Sequence, residues 1–232
     1  MEFNFEEGEV LLIDKPLTWT SFDVVKKIKF AGKIAKIGHV GTLDPLATGL
    51  LILCTGKKTK QIEQYQGLTK EYTGKILLGK TTPTLDLEMP FENEKDIAHL
   101  SEAMILEAVA QFKGKIMQVP PIFSAIKVDG KRLYKRARKG KTEADIEIKP
   151  REIEIYEFEI TDFQLPEISF RVVCSKGTYI RSLARDVGEK LGVGACLSAL
   201  RRTKIGDFSV ENAFQVEEFA KTLREKRDAQ NE

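Results

Sequence analysis

Asp44 is the only carboxylate between Val24 and Lys60, a stretch that also holds Lys26, Lys27, Lys29, Lys33, Lys36, Lys57, Lys58 and Lys60. It lies in the glycine-punctuated run Gly38-His39-Val40-Gly41-Thr42-Leu43-Asp44-Pro45-Leu46-Ala47-Thr48-Gly49. One acid among so many cations suits a catalytic group that meets a polyanion. Glycosidase chemistry needs two cooperating carboxylates, and neither this loop nor the segment around Arg181 supplies an obvious second one. A lone Asp must then act as a nucleophile or as a proton acceptor. Thr55-Gly56-Lys57-Lys58-Thr59 resembles the end of a phosphate loop, but position 51 is Leu where that motif needs Gly, and position 58 is Lys where it needs Ser or Thr. Arg181 and Arg185 share a helical face four residues apart, where like charges destabilise by about 0.2 to 0.5 kcal/mol unless anions relieve them. Glu189 can pair with Arg185, which leaves Arg181 as the better candidate to hold a carboxylate from elsewhere, with Asp44 the expected partner. Such a guanidinium would keep the acid ionised and oriented.

The elements that must position these groups follow from periodicity. Glu9 to Asp14 reads as a short strand, Lys15-Pro16 as a breaker, and Thr20 or Ser21 as the cap of a helix over Phe22 to Phe30. Gly32 to Thr48 reads as loop or loop plus short strand, and Gly49 to Cys54 as a buried strand directly after Asp44. A polar helix to about Tyr65, a strand from Tyr72 to Leu78 and an amphipathic helix from Asp96 to Phe112 come next. Beyond Pro120-Pro121, strands are expected at Ser124 to Val128 with a turn at Asp129-Gly130, and at Ile146 to Ile148, Ile153 to Ile160 and Ile168 to Cys174. A helix over Thr178 to Leu191, a last strand over Cys196 to Ile205 and a charged C-terminal helix complete the chain. Strands dominate without regular alternation, so the fold class is α+β with a large mixed or antiparallel sheet. Without a linker or a repeat, residues 1–232 read as one catalytic domain whose last segment, 209–232, is a short helical tail.

The 232 residues carry 37 basic and 35 acidic side chains for a net charge of +2, but unevenly. Lys127 to Lys141 is strongly basic and Asp86 to Asp96 strongly acidic, so a basic face and an acidic one are expected. Cys54, Cys174 and Cys196 are odd in number and lack metal spacing, which argues against a disulfide framework or a zinc site and for a reduced, cytoplasmic setting. No apolar run approaches the roughly 20 residues that span a bilayer, and no signal segment opens the chain, so neither membrane insertion nor secretion is expected.

The Asp44 run resembles the catalytic loop of the TruB-type tRNA pseudouridine synthases. Other motifs follow in that family's order: Lys15-Pro16 with Thr20-Ser21, Lys70-x-Tyr72, Gly79-x-x-Thr82-x-Thr84-x-Asp86, Gln118-x-Pro120-Pro121-x-Phe123-Ser124-Ala125-x-Lys127-x-x-Gly130 with Tyr134 and Ala137-Arg138, Lys176-Gly177-Thr178-Tyr179-Ile180-Arg181-Ser182-Leu183-Ala184, and Leu200-Arg201-Arg202. The resemblance spans roughly residues 11–208. It implies the pseudouridine synthase fold, a sheet flanked by helices with a central RNA-binding cleft, and isomerisation of the uridine numbered 55 in the T-arm loop of tRNA. No redox or phosphoryl step is involved, so no cofactor and no metal are implied.

By motif position Asp44 is the obligatory carboxylate, whether it adds to the base, attacks the sugar or removes a sugar proton. Tyr72 stacks on the flipped uracil, supported by Lys15 and Pro16, and takes the proton from carbon five. Arg181 pairs with the carboxylate. His39 fills the space vacated in the RNA loop, Tyr179 and Leu200 line the base pocket, and Lys127, Lys135 and Arg136 meet phosphates. Two departures are visible: position 18 is Thr where the family commonly has Gly, and position 123 is Phe where Tyr is common. The short segment after Phe208 implies no separate C-terminal RNA-binding domain and no guide RNA, and a monomer is expected. The competing reading is a tRNA-binding or tRNA-folding protein with incidental or lost catalysis.

Overall fold

The computed structural model describes residues 3–124, 126–128, 130–140 and 145–229, apart from the side chains of 127, 131, 132 and 135. The chain forms two compact units, Met1–Thr73 with Leu200–Glu232, and Gly74–Ala199.

The first unit opens with β1 (Val10–Lys15), whose alternating burial sends Leu11, Ile13 and Lys15 inward. Helix α1 (Ser21–Ala31) starts where Thr20 and Asp23 form a capping box, each satisfying the other's backbone N–H. It buries Val24, Val25, Ile28 and Ala31 and stops at Gly32, whose N–H donates to the Ile28 carbonyl while the Lys33 N–H donates to that of Phe30. Strands β2 (Ile37–Val40) and β3 (Ala47–Thr55) flank the Asp44 loop. The run from Leu50 to Cys54 is fully buried, as its unbroken apolar sequence requires. A 3-10 turn at Gly56–Gln61 leads to α2 (Ile62–Gly67) and into β4 (Lys70–Leu78). Buried Lys70 donates to the Gln66 and Leu68 carbonyls and so closes the C-terminal end of α2, where cations are favoured.

In the second unit the sheet runs β4-β11-β10-β7, built from β7 (Gly114–Gln118), β10 (Arg151–Gln164) and β11 (Glu167–Cys174), with β10 antiparallel to both of its neighbours. Two small hairpins, β5 (Lys80–Thr81) with β6 (Asn93–Glu94) and β8 (Lys127–Val128) with β9 (Lys131–Arg132), stand apart from it. Helices α3 (Glu102–Ala110), α4 (Leu133–Ala137) and α5 (Ile180–Lys190) complete the unit, and β12 (Ala195–Ile205) leads back into the first. There, β13 (Phe208–Ser209), β14 (Phe214–Gln215) and α6 (Val216–Ala229) follow. The sheet order in the first unit is β14-β1-β3-β12-β4, with β2 added to β3. It is mixed, since β1 with β14 and β3 with β12 are parallel pairs. Helices α1 and α6 cover one face of it through Val24, Ile28, Phe219 and Leu223.

Several expected elements differ; of the strand expected over Ser124 to Val128, only Lys127–Val128 is strand among the described residues. The helix expected from Asp96 begins only at Glu102, because the Asp96 carboxylate takes the Ala98 N–H in a local turn and Ser101 caps the Met104 N–H. Ile146 to Ile148 is not a strand; Ile146 instead packs with Ile122, Leu133 and Ala137 in a separate cluster. Asp129 of the expected turn lies outside the described residues. Among the described residues, no helix is long and apolar enough to cross a membrane.

Candidate functional site

Asp44 sits, partly exposed, in the turn between β2 and β3. Three buried side chains hold that turn by its backbone. Ser21, the first residue of α1, accepts the Leu43 N–H at 2.9 Å and donates to the Leu43 carbonyl at 3.2 Å. Lys15 points inward from the end of β1 and donates through Nζ to the carbonyls of Trp19 at 2.6 Å, Pro16 at 2.9 Å and Pro45 at 3.3 Å. Arg202 is 1 % exposed and donates to the Leu50 carbonyl at 2.8 Å and the Gly41 carbonyl at 3.1 Å. The Pro45 carbonyl also accepts the Thr18 N–H at 2.9 Å, and the Asp44 carbonyl the Ala47 N–H at 3.1 Å. The turn is therefore fixed on both sides of the acid, the pre-organisation that a catalytic group requires. Thr18 reaches its hydrogen bond with φ at 70°, a left-handed conformation in which glycine is at ease. The departure from glycine at this position keeps the turn and carries the strain.

Arg202 reaches Gly41 because β12 lies parallel against β3, with Arg202 opposite Gly49. Gly49 has φ of 101°, and a Cβ there would stand 2.3 Å from the Arg202 carbonyl oxygen. Along β12 the next side chain points the other way: Arg201 forms a fork with both Asp14 carboxylate oxygens at 3.0 and 2.8 Å. Leu200, half-buried, lies opposite Ala47 at the start of β3.

The electrostatics of this cluster are set by burial. Desolvation draws the Lys15 ammonium down to about 8, while the Asp44 carboxylate acts to raise it and the Arg202 guanidinium to lower it further. His39, on β2 opposite Leu53, is pushed below the ordinary histidine value by burial and by Arg202. Its ring is therefore neutral at physiological pH. Tyr72 is 8 % exposed on β4, and Pro16 is half-buried beside the Lys15 ammonium. The hydrogen bonds of Lys15 brace the Asp44 turn, a role that the sequence did not signal.

The second unit holds the remaining expected residues. Arg181, in the first turn of α5, is 5 % exposed and donates to the Thr84 carbonyl at 2.7 Å and the Phe123 carbonyl at 2.9 Å, with Nε 3.8 Å from the Asp86 carboxylate. Phe123 thus contributes through its backbone, which a missing ring hydroxyl leaves intact. Asp86 is itself buried; its carbonyl accepts from the Thr82 and Thr84 hydroxyls. The Gly79 to Asp86 motif is in this way a cradle for Arg181. Gln118 and Tyr179 exchange reciprocal hydrogen bonds, Gln118 accepting the Tyr179 N–H at 2.9 Å and donating to its carbonyl at 3.1 Å, so the N-terminus of α5 is capped from β7. Arg185 is paired with Asp186 at 2.8 Å and with Glu189 at 3.8 Å, the latter as the spacing predicts. Arg136 is half-buried on α4, and the side chains of Lys127 and Lys135 lie outside the described residues. Ser21, Asp86, Gln118 and Arg202 stood in the motifs without a role: Ser21, Gln118 and Arg202 act on backbone atoms of distant segments, and Asp86 faces the Arg181 guanidinium from 95 residues away.

Comparison with known proteins agrees with these motifs. The family model described as TruB family pseudouridylate synthase (N terminal domain) matches residues 27–180, and that of the tRNA pseudouridylate synthase B C-terminal domain matches residues 181–232. The tRNA pseudouridine synthase B of Flavobacterium johnsoniae is 56% identical over 225 residues, which cover 94% of this chain and 97% of that protein. The protein of the same name from Phocaeicola vulgatus is 52% identical over 226 residues, covering 95% of each. Among solved structures, a chain of a Cbf5-Nop10-Gar1 complex superposes with a TM-score of 0.74 at 30% identity. The match covers 97% of this chain, which spans 57% of the length of that one.

Proposed function

The chain belongs to the TruB family of pseudouridylate synthases, and from that premise we propose that it isomerises uridine to pseudouridine in tRNA, at position 55 of the T-arm loop. The bond from the sugar C1′ to N1 of uracil breaks, the base turns in place, and C1′ bonds to C5. The C5 proton leaves and N1 gains one, so atoms and charge balance without a cofactor. The observation that carries the reading is a single carboxylate, Asp44, on a turn pinned by Lys15, Ser21 and Arg202.

In this reading Asp44 is the essential acid, Tyr72 stacks on the uracil and receives the C5 proton, and Arg181 completes the catalytic set. Lys15 and Pro16 support that tyrosine, and Lys15 also holds the turn that carries Asp44. A neutral His39 suits stacking in the opened RNA loop, and Tyr179 and Leu200 line the base pocket. Lys127, Lys135 and Arg136 meet phosphates. Extruding a base costs a few kcal/mol, which these contacts offset. The protein works as one catalytic domain, as a monomer in the cytoplasm and without a guide RNA.

The test is tritium release from tRNA labelled at C5 of uridine. Asp44→Asn should bind the T-arm as the unaltered protein does and release nothing. An unaltered protein that binds tightly yet releases no tritium would leave a tRNA-binding or tRNA-folding role in place of catalysis.

A further inference from the structure

A groove of about 620 Å³ opens between α1 and α6, within the first unit, lined by Trp19, Asp23, Lys26, Lys27, Phe30 and Arg224 among others. Its size falls in the range of ligand sites, and it is separate from the residues assigned above to the uridine. Trp19 gives it an aromatic wall backed by the core, and Phe30 a second ring that is 68% exposed. The cations at its rim are not neutralised alike. Lys27 is bound to Glu217 at 2.6 Å, whereas Arg224 has no acidic partner among the described residues. The Lys26 charge acts on the Asp23 carboxylate, but that carboxylate is already occupied by the N–H and hydroxyl of Thr20. Exposed Lys29 and Lys33 extend the positive face, and Phe22, 68% exposed, adds another ring to it. The Trp19 carbonyl and the Pro45 carbonyl share the Lys15 ammonium, so the groove is tied directly to the Asp44 turn.

Aromatic surfaces interleaved with unneutralised cations suit a base with its phosphate better than an apolar helix, whose burial would strip water from the lysines. We propose that this groove binds a further nucleotide of the RNA substrate, its base against Trp19 and Phe30 and its phosphate at Lys26 and Arg224. The proposal rests on the reading of the chain as an RNA-modifying enzyme.

Trp19 is the only tryptophan of the chain, so its fluorescence reports the groove alone. Titrating the full chain with a T-arm stem-loop RNA should quench that emission. Phe30→Ala and Lys26→Glu, both at exposed positions, should each weaken the quenching titration about tenfold. Lys26→Glu should also reduce the salt slope of binding by about 1. RNA that binds by gel shift without changing the emission, or variants that stay within twofold of the unaltered protein, would overturn the proposal. Uridine monophosphate quenching with the same affinity as the RNA would overturn it in favour of a free-nucleotide site. Tritium release is measured on the same preparation: its absence would sink the isomerase reading, while variant-sensitive quenching by RNA would still support the groove.

Discussion

Replacing Arg202 by Met tests whether the Asp44 turn is held by tertiary contacts. The guanidinium is 1 % exposed and satisfies the carbonyls of Leu50 and Gly41. Methionine fills much of its volume but strands both acceptors, at about 1 to 3 kcal/mol each. Part of that loss is offset because a buried cation no longer has to be desolvated. A net destabilisation of about 2 to 4 kcal/mol follows, read as a lower urea midpoint at unchanged slope. Because Arg202 is one of the two influences holding His39 below its ordinary value, the same change should raise the His39 titration midpoint by NMR. The chain has only two histidines, which makes the resonance easy to assign. With Gly41 released, tritium release should fall about a hundredfold, the penalty for an ångström of misplacement. A stability loss below about 1 kcal/mol together with an unmoved His39 titration would refute the reasoning.

Gly49→Ala should cost more than about 3 kcal/mol, because its Cβ would collide with the Arg202 backbone at 2.3 Å in a conformation that alanine avoids; solubility and urea denaturation read the outcome, and a fully stable variant would contradict the packing. Burial holds Lys15 at about 8 against the ordinary lysine value of 10.5, so between those pH values the unfolded chain keeps a proton that the folded one has released. Stability should therefore rise with pH in that window, by up to about 3 kcal/mol. Measured against Lys15→Met, the unaltered protein should gain stability from pH 8 to pH 10; a flat difference would show that the lysine is solvated.

What the sequence determined by itself was local. The cap at Thr20 or Ser21, the apolar stripe of α1 and the unbroken run of β3 were legible because each depends on residues within a turn or a strand of one another. The motif order around Asp44 likewise pointed to the family. What only the tertiary structure decided is how the acid is held. Ser21 reaches Leu43 across 22 residues, and Arg202 reaches Gly41 across 161, through a parallel strand pair that no pattern in either segment announces. The same holds for Arg181, whose cradle at Thr84, Asp86 and Phe123 comes from segments 58 or more residues away. Backbone carbonyls are identical in every residue, so a side chain that serves them leaves no complementary mark in the sequence. A carboxylate and its cations can be read from composition, but the rigidity of the turn between them exists only once the sheet has closed around Arg202 and Lys15.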